Sequence, residues 1–359
     1  MKQPNPQIDT EARRIPTVDV SPFFSGSQDL STLSTQRLKS AKLLVEALHS
    51  FGFAKVTGHG LSYNDVSEAI GWVQKLFDLP FDEKMKAPHP PGPMPHRGYS
   101  GIGEEKVYSQ EDVDAHARSG NADVSQELRK ISDFKESYEI GSENDPVQQN
   151  IWLPEGVLPG FREYETSLYG RLADISRTLL EAIGVGLGFD SKANEALSEL
   201  MSDRHCQLRL LHYPAVSKIQ LQKQLLARLP PHRDWGTITL LFQDNRGGLE
   251  LKDAKTGRYL HAEPEEGAFV VNVGDMLQRF SNDYFVSALH QVTVPDSAEV
   301  PDLGLPARYS IPFFVAPDFS HTISTLSHFV SKENPAKYEP VRFDQYGELI
   351  SKYQYQSES

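Results

Sequence analysis

A histidine and an aspartate stand two residues apart in the stretch Pro231-His232-Arg233-Asp234-Trp235-Gly236. In an extended chain, residues two apart point to the same side, so a strand over residues 232–242 would bring the His232 imidazole and the Asp234 carboxylate together. The run from Thr237 to Phe242 is β-branched or apolar, as a buried strand requires. A second imidazole would complete the two-histidine, one-carboxylate ligand set of non-haem iron oxygenases.

The pair alone has little specificity. With 12 histidines and 49 acidic residues among 359, chance predicts about one or two His-x-acid triplets, and the chain holds two. The other, His261-Ala262-Glu263, lies in a polar stretch rich in turn residues, and we interpret it as solvated. His-Arg-Asp also opens the protein-kinase catalytic loop, but that loop needs asparagine where Thr239 stands, and no Asp-Phe-Gly follows. The sequence therefore excludes a kinase.

Three histidines are candidates for the second imidazole. His290 lies in the apolar stretch from Phe285 to Val292, while His205 and His212 stand nearer in sequence. His290 follows Asp234 by 56 residues (290 − 234), so the fold would have to close that distance. Spacing alone leaves all three open.

Arg308-Tyr309-Ser310 is a second group that could carry chemistry. On a strand, Arg308 and Ser310 share a face, and a guanidinium beside a hydroxyl is a good receptor for a carboxylate. An arginine buried without an anion would be costly, so an internal Arg308 would indicate an anionic ligand. The alternative is an exposed arginine paired with any surface carboxylate.

The composition sets the class of protein. A chain of 359 residues with 38% hydrophobic and 24% charged residues is long enough for a large globular core. The net charge of −13 argues against a nucleic-acid partner, and no apolar stretch approaches the roughly 20 residues that span a bilayer. One cysteine, Cys206, excludes an internal disulfide framework and, with a polar start that has no apolar signal segment, favours a cytoplasmic location.

The elements that would position these residues divide the chain into a helical half and a strand-rich half. Apolar residues at helical spacing predict helices over residues 32–51, 64–79 and 159–187. Strand patterns stand at 15–20, 53–57, 134–140, 208–213, 237–242, 249–252, 268–273, 286–294 and 309–315. Many short strands at close intervals are typical of a sandwich or a closed barrel. The expected fold class is α+β, with N-terminal helices that buttress an all-β core.

Taken together and in order, the motifs resemble the Fe(II)/2-oxoglutarate-dependent dioxygenases of the isopenicillin N synthase-like superfamily. The likeness covers most of the chain and includes His232-x-Asp234, His290, Arg308-x-Ser310, Phe51-Gly52-Phe53 and Arg97-Gly98-Tyr99. The stretches Lys135 to Gly141, Leu208 to Pro214 and Arg246 to Leu249 resemble the branch that contains thymine dioxygenase. The combination is far more specific than any one motif.

The resemblance implies a double-stranded β-helix (jelly-roll) core over residues 205–325. The other regions would be an N-terminal α/β region over 1–145 with a polar excursion at 103–133, buttressing helices over 146–204, and a C-terminal extension over 326–359.

The resemblance also implies a role for each candidate residue. Fe(II) would be held by His232, Asp234 and His290. The co-substrate 2-oxoglutarate would chelate the iron through its 1-carboxylate and 2-keto oxygen, and its distal carboxylate would contact Arg308, Ser310 and Tyr213.

Three further residues are expected to face the substrate, because residues matching them line the pocket of thymine dioxygenase: Arg209, Trp235 and Phe314. Trp235 stands where thymine dioxygenase has a tyrosine, which puts a pyrimidine substrate in doubt.

The expected activity is a dioxygenase that uses Fe(II), 2-oxoglutarate and O2 to oxidise a C–H bond of a small metabolite, of the kind found in specialised biosynthesis. Hydroxylation, desaturation or ring closure would accompany the release of succinate and CO2. One alternative is an oxidase like isopenicillin N synthase, in which the Arg-x-Ser pair holds the substrate's own carboxylate. A remote alternative is a non-catalytic protein that binds a small ligand. The sequence does not predict the oligomeric state.

Overall fold

The computed structural model describes residues 13–25, 30–91, 96–103, 134–217, 228–293 and 304–347. The predicted polar excursion lies outside these ranges from residue 104 onwards, as does the end of the C-terminal extension from residue 348.

The helices predicted from apolar spacing are confirmed, with small shifts at their ends. The described residues include seven complete α-helices: Ser21–Phe24 (α1), Leu30–Phe51 (α2), Tyr63–Phe77 (α3), Phe81–Lys84 (α4), Phe161–Leu187 (α5), Ser191–Ser198 (α6) and Asp275–Phe280 (α7). There is also a 3₁₀ helix at Ser327–Phe329, and residues 343–347 are helical. Helix α3 begins at a capping box in which Ser62 and Asp65 bond each other's backbone N–H groups. Among the described residues, no helix is long and apolar enough to cross a bilayer.

The strands form two main sheets. They are Thr17–Asp19 (β1), Phe53–Thr57 (β2), Gly98–Ser100 (β3), Glu136–Ile140 (β4), Gln207–Tyr213 (β5), Leu229–His232 (β6), Ile238–Gln243 (β7), Leu249–Lys252 (β8), Tyr259–His261 (β9), Phe269–Val273 (β10), His290–Val292 (β11), Arg308–Val315 (β12), Thr322–Ile323 (β13) and Val341–Arg342 (β14). One sheet has the order β1-β2-β10-β7-β12-β5-β4-β3, the second β6-β11-β8-β9, and β13 pairs with β14. The strands β1 to β4 of the predicted N-terminal region thus belong to the same sheet as the strands of the predicted core.

The larger sheet has one face toward the helices and the other toward the smaller sheet. Strand side chains alternate between the two faces. On β5, Leu208 and Leu210 join the core that includes helices α2 and α5, whereas Leu211 and Tyr213 join a second core with residues of the smaller sheet such as Leu251. The two sheets therefore face each other, as in a jelly roll. The predicted α+β fold, a jelly-roll core with helices that buttress it, is confirmed.

Two expectations about strands hold over only part of their length. The strand predicted at 237–242 is β7, but the continuous strand considered over residues 232–242 does not form, because β6 ends at His232 and β7 begins at Ile238. The strand expected over residues 286–294 covers only β11, because the backbone N–H of Ser287 donates to the side chain of Gln278 in α7 instead of to a neighbouring strand. The alternation of side chains along one strand therefore does not explain how residues 232 and 234 come together.

Candidate metal centre and its cavity

The two histidines meet because their strands are neighbours. Strands β6 and β11 are antiparallel, and His232 and His290 are directly opposite each other in the register. Residues in such positions project from the same face of the sheet. The two ring centroids are 4.2 Å apart. Strand pairing thus closes the distance of 56 residues that the sequence left open.

Asp234 joins them from a loop between β6 and β7. The backbone N–H of Asp275, at the start of α7, donates to the carbonyl oxygen of Asp234 over 2.8 Å. Gly236 lets the loop lie close to β12, since a Cβ there would be 2.3 Å from a backbone oxygen of that strand. As a result, Asp234 Oδ1 lies 3.9 Å from His232 Nε2 and 3.6 Å from His290 Nε2.

Hydrogen bonds of the two imidazoles leave their Nε2 atoms facing the aspartate. His232 Nδ1 lies 2.9 Å from the Pro230 carbonyl oxygen, and His290 Nδ1 lies 3.2 Å from that of Ala288. A carbonyl oxygen only accepts, so each Nδ1 carries the proton and each Nε2 keeps its lone pair. This is the tautomer that binds a metal through Nε2, with the second nitrogen anchored to the backbone.

The protein also orients the Asp234 carboxylate, through hydrogen bonds to only one of its two oxygens. Its Oδ2 accepts hydrogen bonds from Thr239 Oγ1 at 2.6 Å and from Asn272 Nδ2 at 2.7 Å. Thr239 and Asn272 are themselves opposite each other on β7 and β10. These two bonds fix the carboxylate and leave Oδ1 directed at the imidazoles.

The charge state of the group suits a divalent transition metal. Burial and the neighbouring His290 lower the pKa of His232 to about 4, so this imidazole is neutral at pH 7. Burial alone would raise the pKa of Asp234, but His290, His232 and the hydrogen bonds to its oxygen keep that pKa below its ordinary value. The ligand atoms of His232, Asp234 and His290 all lie within 4.8 Å of one another. The donor set and its open lone pairs fit a facial two-histidine, one-carboxylate metal site.

A cavity of about 780 Å³ opens over this centre. Arg308 lies at one end and is 1% exposed. Its guanidinium donates to the Gly247 carbonyl oxygen at 2.9 Å, to Ser310 Oγ at 3.1 Å and to Gln243 Oε1 at 2.9 Å. Its Cζ is 5.0 Å from the centre of the Tyr213 ring, and Tyr213 is its register partner on β5. The structure therefore brings Arg308, Ser310 and Tyr213 together at the cavity.

A second buried arginine lies on the same side. Arg228 is 4% exposed, its Cζ is 6.0 Å from the Tyr213 ring, and burial followed by the nearby Arg308 charge lowers its pKa. Neither Arg228 nor Arg308 forms an ion pair with a carboxylate among the described residues. This end of the cavity is thus suited to an anion.

The three residues expected to face the substrate also line the cavity. Arg209 has a different environment from Arg308, because its Nε is 2.6 Å from Oε1 of Glu139, a residue 1% exposed. Its Cζ lies 5.6 Å from the ring of Phe314. Trp235 extends from the loop that follows β6 and holds Asp234.

The competing histidines make other contacts and are not part of the cluster of three ligand atoms. His212 points to the opposite face of β5 from Tyr213, where its Nδ1 is 2.7 Å from Glu136 Oε1 and its ring stacks on Tyr309. His205 lines the cavity but accepts a hydrogen bond from the Phe319 backbone at 3.1 Å. The side chain of His261 is 66% exposed, as expected for a solvated residue, although it lies on strand β9 and not in a turn.

Some residues at the site were not predicted from the sequence. Thr239 and Asn272 are polar residues within apolar strand runs, Ile238-Thr239-Leu240 and Val271-Asn272-Val273, and that pattern is a usable signal. Phe343 and Asp344 also line the cavity, but no local pattern in the C-terminal extension indicates this.

Comparison with known protein families identifies two matching regions. Residues 204–317 match the family described as the 2OG-Fe(II) oxygenase superfamily. Residues 15–155 match the family described as non-haem dioxygenase in morphine synthesis, N-terminal.

Curated proteins and solved structures that are similar to the chain include fungal enzymes. The proline hydroxylase buaE of Petromyces alliaceus is 38% identical over 300 residues, covering 82% of this chain and 86% of that protein. The 2-oxoglutarate-Fe(II) type oxidoreductase ppzD of Metarhizium rileyi is 35% identical over 341 residues, covering 94% and 91%. The crystal structure of the full-length Neurospora crassa thymine-7-hydroxylase in complex with alpha-KG and thymine has a TM-score of 0.80 and 32% identity, covering 95% of this chain and 97% of that chain.

Proposed function

The chain belongs to the 2OG-Fe(II) oxygenase superfamily and is a 2-oxoglutarate-dependent dioxygenase, and we propose that it oxidises a C–H bond of a small metabolite at an iron held by His232, Asp234 and His290. The observation that carries the ligand assignment is the set of three ligand atoms within 4.8 Å, whose other polar atoms are already bonded to the protein. When bound, iron and 2-oxoglutarate would supply the oxidation: one oxygen atom of O2 would go to succinate, the other to a hydroxylated product or, in a desaturation or ring closure, to water, and CO2 would be released.

The protein contributes orientation and charge. The Nδ1–H groups of His232 and His290 donate to backbone carbonyl oxygens and their Nε2 atoms would bind the iron, so neither imidazole acts as an acid or a base. Thr239 and Asn272 hold the second oxygen of Asp234, which prevents the carboxylate from rotating away. The burial of Asp234 and His290 limits the access of water to the centre from the protein side.

Arg308, Ser310 and Tyr213 bind the distal carboxylate of 2-oxoglutarate in this proposal. Support comes from the burial of Arg308 among neutral acceptors and from the second positive charge of Arg228. Two charge-assisted bonds from a guanidinium would offset much of the cost of its burial.

Arg209, Trp235 and Phe314 contact the substrate in this proposal. Relatives include a proline hydroxylase and a protein whose structure contains thymine, so substrates differ within the group. We place the substrate among the small molecules of specialised metabolism. We also keep a cytoplasmic location as part of the proposal, because the buried Cys206 has no disulfide partner.

Succinate formed per O2 consumed tests the reaction directly. Protein loaded with Fe(II) and 2-oxoglutarate should form one succinate for each O2 consumed when a library compound stimulates turnover. Consumption of O2 without succinate would instead favour an oxidase of the isopenicillin N synthase type.

A further inference from the structure

The C-terminal extension supplies part of the cavity wall. Phe343, Asp344 and Gly347 line the same cavity as the proposed iron ligands, and so does Phe319. All four residues lie beyond residue 317, where the match to the superfamily ends. The part of the wall that they form is therefore separate from the matched region that would hold iron and 2-oxoglutarate.

Two side chains of this wall, Phe319 and Phe343, are aromatic and form a stack with His205. The ring of Phe319 lies 3.8 Å from the ring of His205 at 14°, and 6.1 Å from the ring of Phe343 at 21°. Phe343 is buried, with 8% of its surface exposed. Such a stack presents apolar surface to whatever enters the cavity. The volume of about 780 Å³ lies within the range that holds drug-sized ligands, which is more room than 2-oxoglutarate requires.

Backbone hydrogen bonds fix the position of residues 343–347. The N–H groups of Phe343 and Asp344 donate to the carbonyl oxygens of His321 and Phe319, each at 3.0 Å. The pairing of β13 with β14 precedes them. These bonds tie the extension to the chain that leaves β12.

One side-chain bond connects the segment to the metal centre. Tyr346 Oη donates to Asp275 Oδ2 over 2.7 Å. The backbone N–H of the same Asp275 donates to the carbonyl oxygen of Asp234 over 2.8 Å. A single residue at the start of α7 thus contacts both the C-terminal segment and the loop that carries a proposed iron ligand.

We propose that residues 343–347 form a specificity-determining wall of the active site, in which Phe343 contacts an apolar part of the substrate. Tyr346 is a positioning residue, because its bond to Asp275 fixes this wall relative to Asp234. The proposal rests on the proposed function only where it invokes turnover; whether Phe343 shields the cavity can be tested without it.

Shielding can be measured without a substrate. Of the three tryptophans, Trp235 lines the cavity and Trp72 and Trp152 do not, so the change between variants in the quenching of fluorescence by acrylamide reports how open the cavity is around Trp235. Phe343→Ala should increase the quenching constant about twofold, whereas Phe343→Leu, which keeps most of the apolar volume, should leave it near the wild-type value. Thermal unfolding of both variants checks that they are folded. Unchanged quenching in a folded Phe343→Ala protein would overturn the proposal.

Turnover tests the specificity role. With the library compound that most stimulates succinate formation, Phe343→Ala should raise the KM for that compound about tenfold while the KM for 2-oxoglutarate stays constant. Tyr346→Phe should raise the same KM about threefold to fivefold through loss of one hydrogen bond.

The matched control is Tyr338→Phe, which removes a hydroxyl of the same extension that bonds to Asp283 and lies outside the cavity lining. It should leave the KM for the compound unchanged. A change in the KM for 2-oxoglutarate instead, or equal effects of Tyr338→Phe and Tyr346→Phe, would contradict the proposal. Equilibrium dialysis of Fe(II) separates the proposed function from the proposed wall. If the wild-type protein binds no iron, the proposed function fails. The quenching result still decides whether Phe343 shields the cavity.

Discussion

The two ends of the cavity are built on the same pair of strands but differ in charge. Strands β5 and β12 place Tyr213 opposite Arg308 at one end and Gln207 opposite Phe314 at the other. Since a strand rises about 3.3 Å per residue, Arg308 and Phe314 lie roughly 20 Å apart along β12. Each end presents an arginine to the cavity, Arg308 at the first and Arg209 at the second.

The surroundings of the two arginines differ. Arg308 donates to two uncharged side chains and a backbone carbonyl, whereas Arg209 lies 2.6 Å from the carboxylate of Glu139. A buried guanidinium without a counter-ion strongly favours an incoming anion, while one that is already paired gains less from a second carboxylate. The difference indicates which end suits the dicarboxylate co-substrate and which end suits a substrate whose polar group is not simply an anion.

The largest effect should come from the proposed metal centre. Asp234→Ala removes the proposed anionic iron ligand, and we expect turnover to fall by at least about a thousandfold because the reaction needs the metal. Steady-state succinate formation measures this, with circular dichroism to show that the fold persists. The matched control is His261→Ala, in the other His-x-acid triplet, which should leave turnover unchanged. Loss of activity in the control would mean that the wrong triplet was chosen.

The next largest effect should be confined to the anion end. Arg308→Ala should raise the KM for 2-oxoglutarate about a hundredfold, equivalent to about 3 kcal/mol for a buried charge-assisted contact. The KM for the substrate should change little. Arg308→Lys should recover only part of the loss, since a lysine cannot form two parallel hydrogen bonds to one carboxylate. Equal effects on both KM values would show that the two ends are not independent.

Removal of the second arginine, Arg209, should affect the substrate end of the cavity. Arg209→Ala should raise the KM for the substrate about tenfold and leave the 2-oxoglutarate requirement as it is, because we assign Arg209 to the substrate end. The measurement is a pair of KM values for each variant. A rise in the 2-oxoglutarate KM alone would reverse the assignment of the two ends.

A smaller effect is expected when the carboxylate beside Arg209 is removed. Glu139→Gln removes the carboxylate beside Arg209 and keeps the size of the side chain, so the substrate end becomes more attractive to anions. We expect excess succinate to inhibit this variant severalfold more strongly than wild type, in competition with the substrate. Inhibition that matches the wild type would mean that Glu139 does not control the charge of that end.

Much of the fold and part of the site follow from local patterns. The long helices were predictable because apolar residues recur at helical spacing. The cavity-facing side of β12 was also predictable, because Arg308, Ser310 and Phe314 are two or four residues apart and therefore share a face. The same alternation places His212 and Tyr213, which are adjacent on β5, on opposite faces of the sheet. His212 could have been excluded from the sequence on that ground.

Other features depend on contacts between distant segments. The meeting of His232 and His290 is set by the pairing of β6 with β11, and Asp234 is held by a loop bonded to α7, so no local spacing encodes either. The expectation of a single strand over residues 232–242 failed because Gly236 lets the chain turn tightly against β12. The contribution of Phe343 to the cavity likewise arises only when the C-terminal extension folds back.

An anaerobic titration with Fe(II), followed by equilibrium dialysis, tests the proposed iron site most directly. We predict one tightly bound iron per chain in the wild-type protein, and a loss of affinity of at least about a hundredfold in a folded Asp234→Ala variant. Iron bound equally tightly by the variant, or no iron bound by a folded wild-type protein, would contradict the assignment of the three ligands.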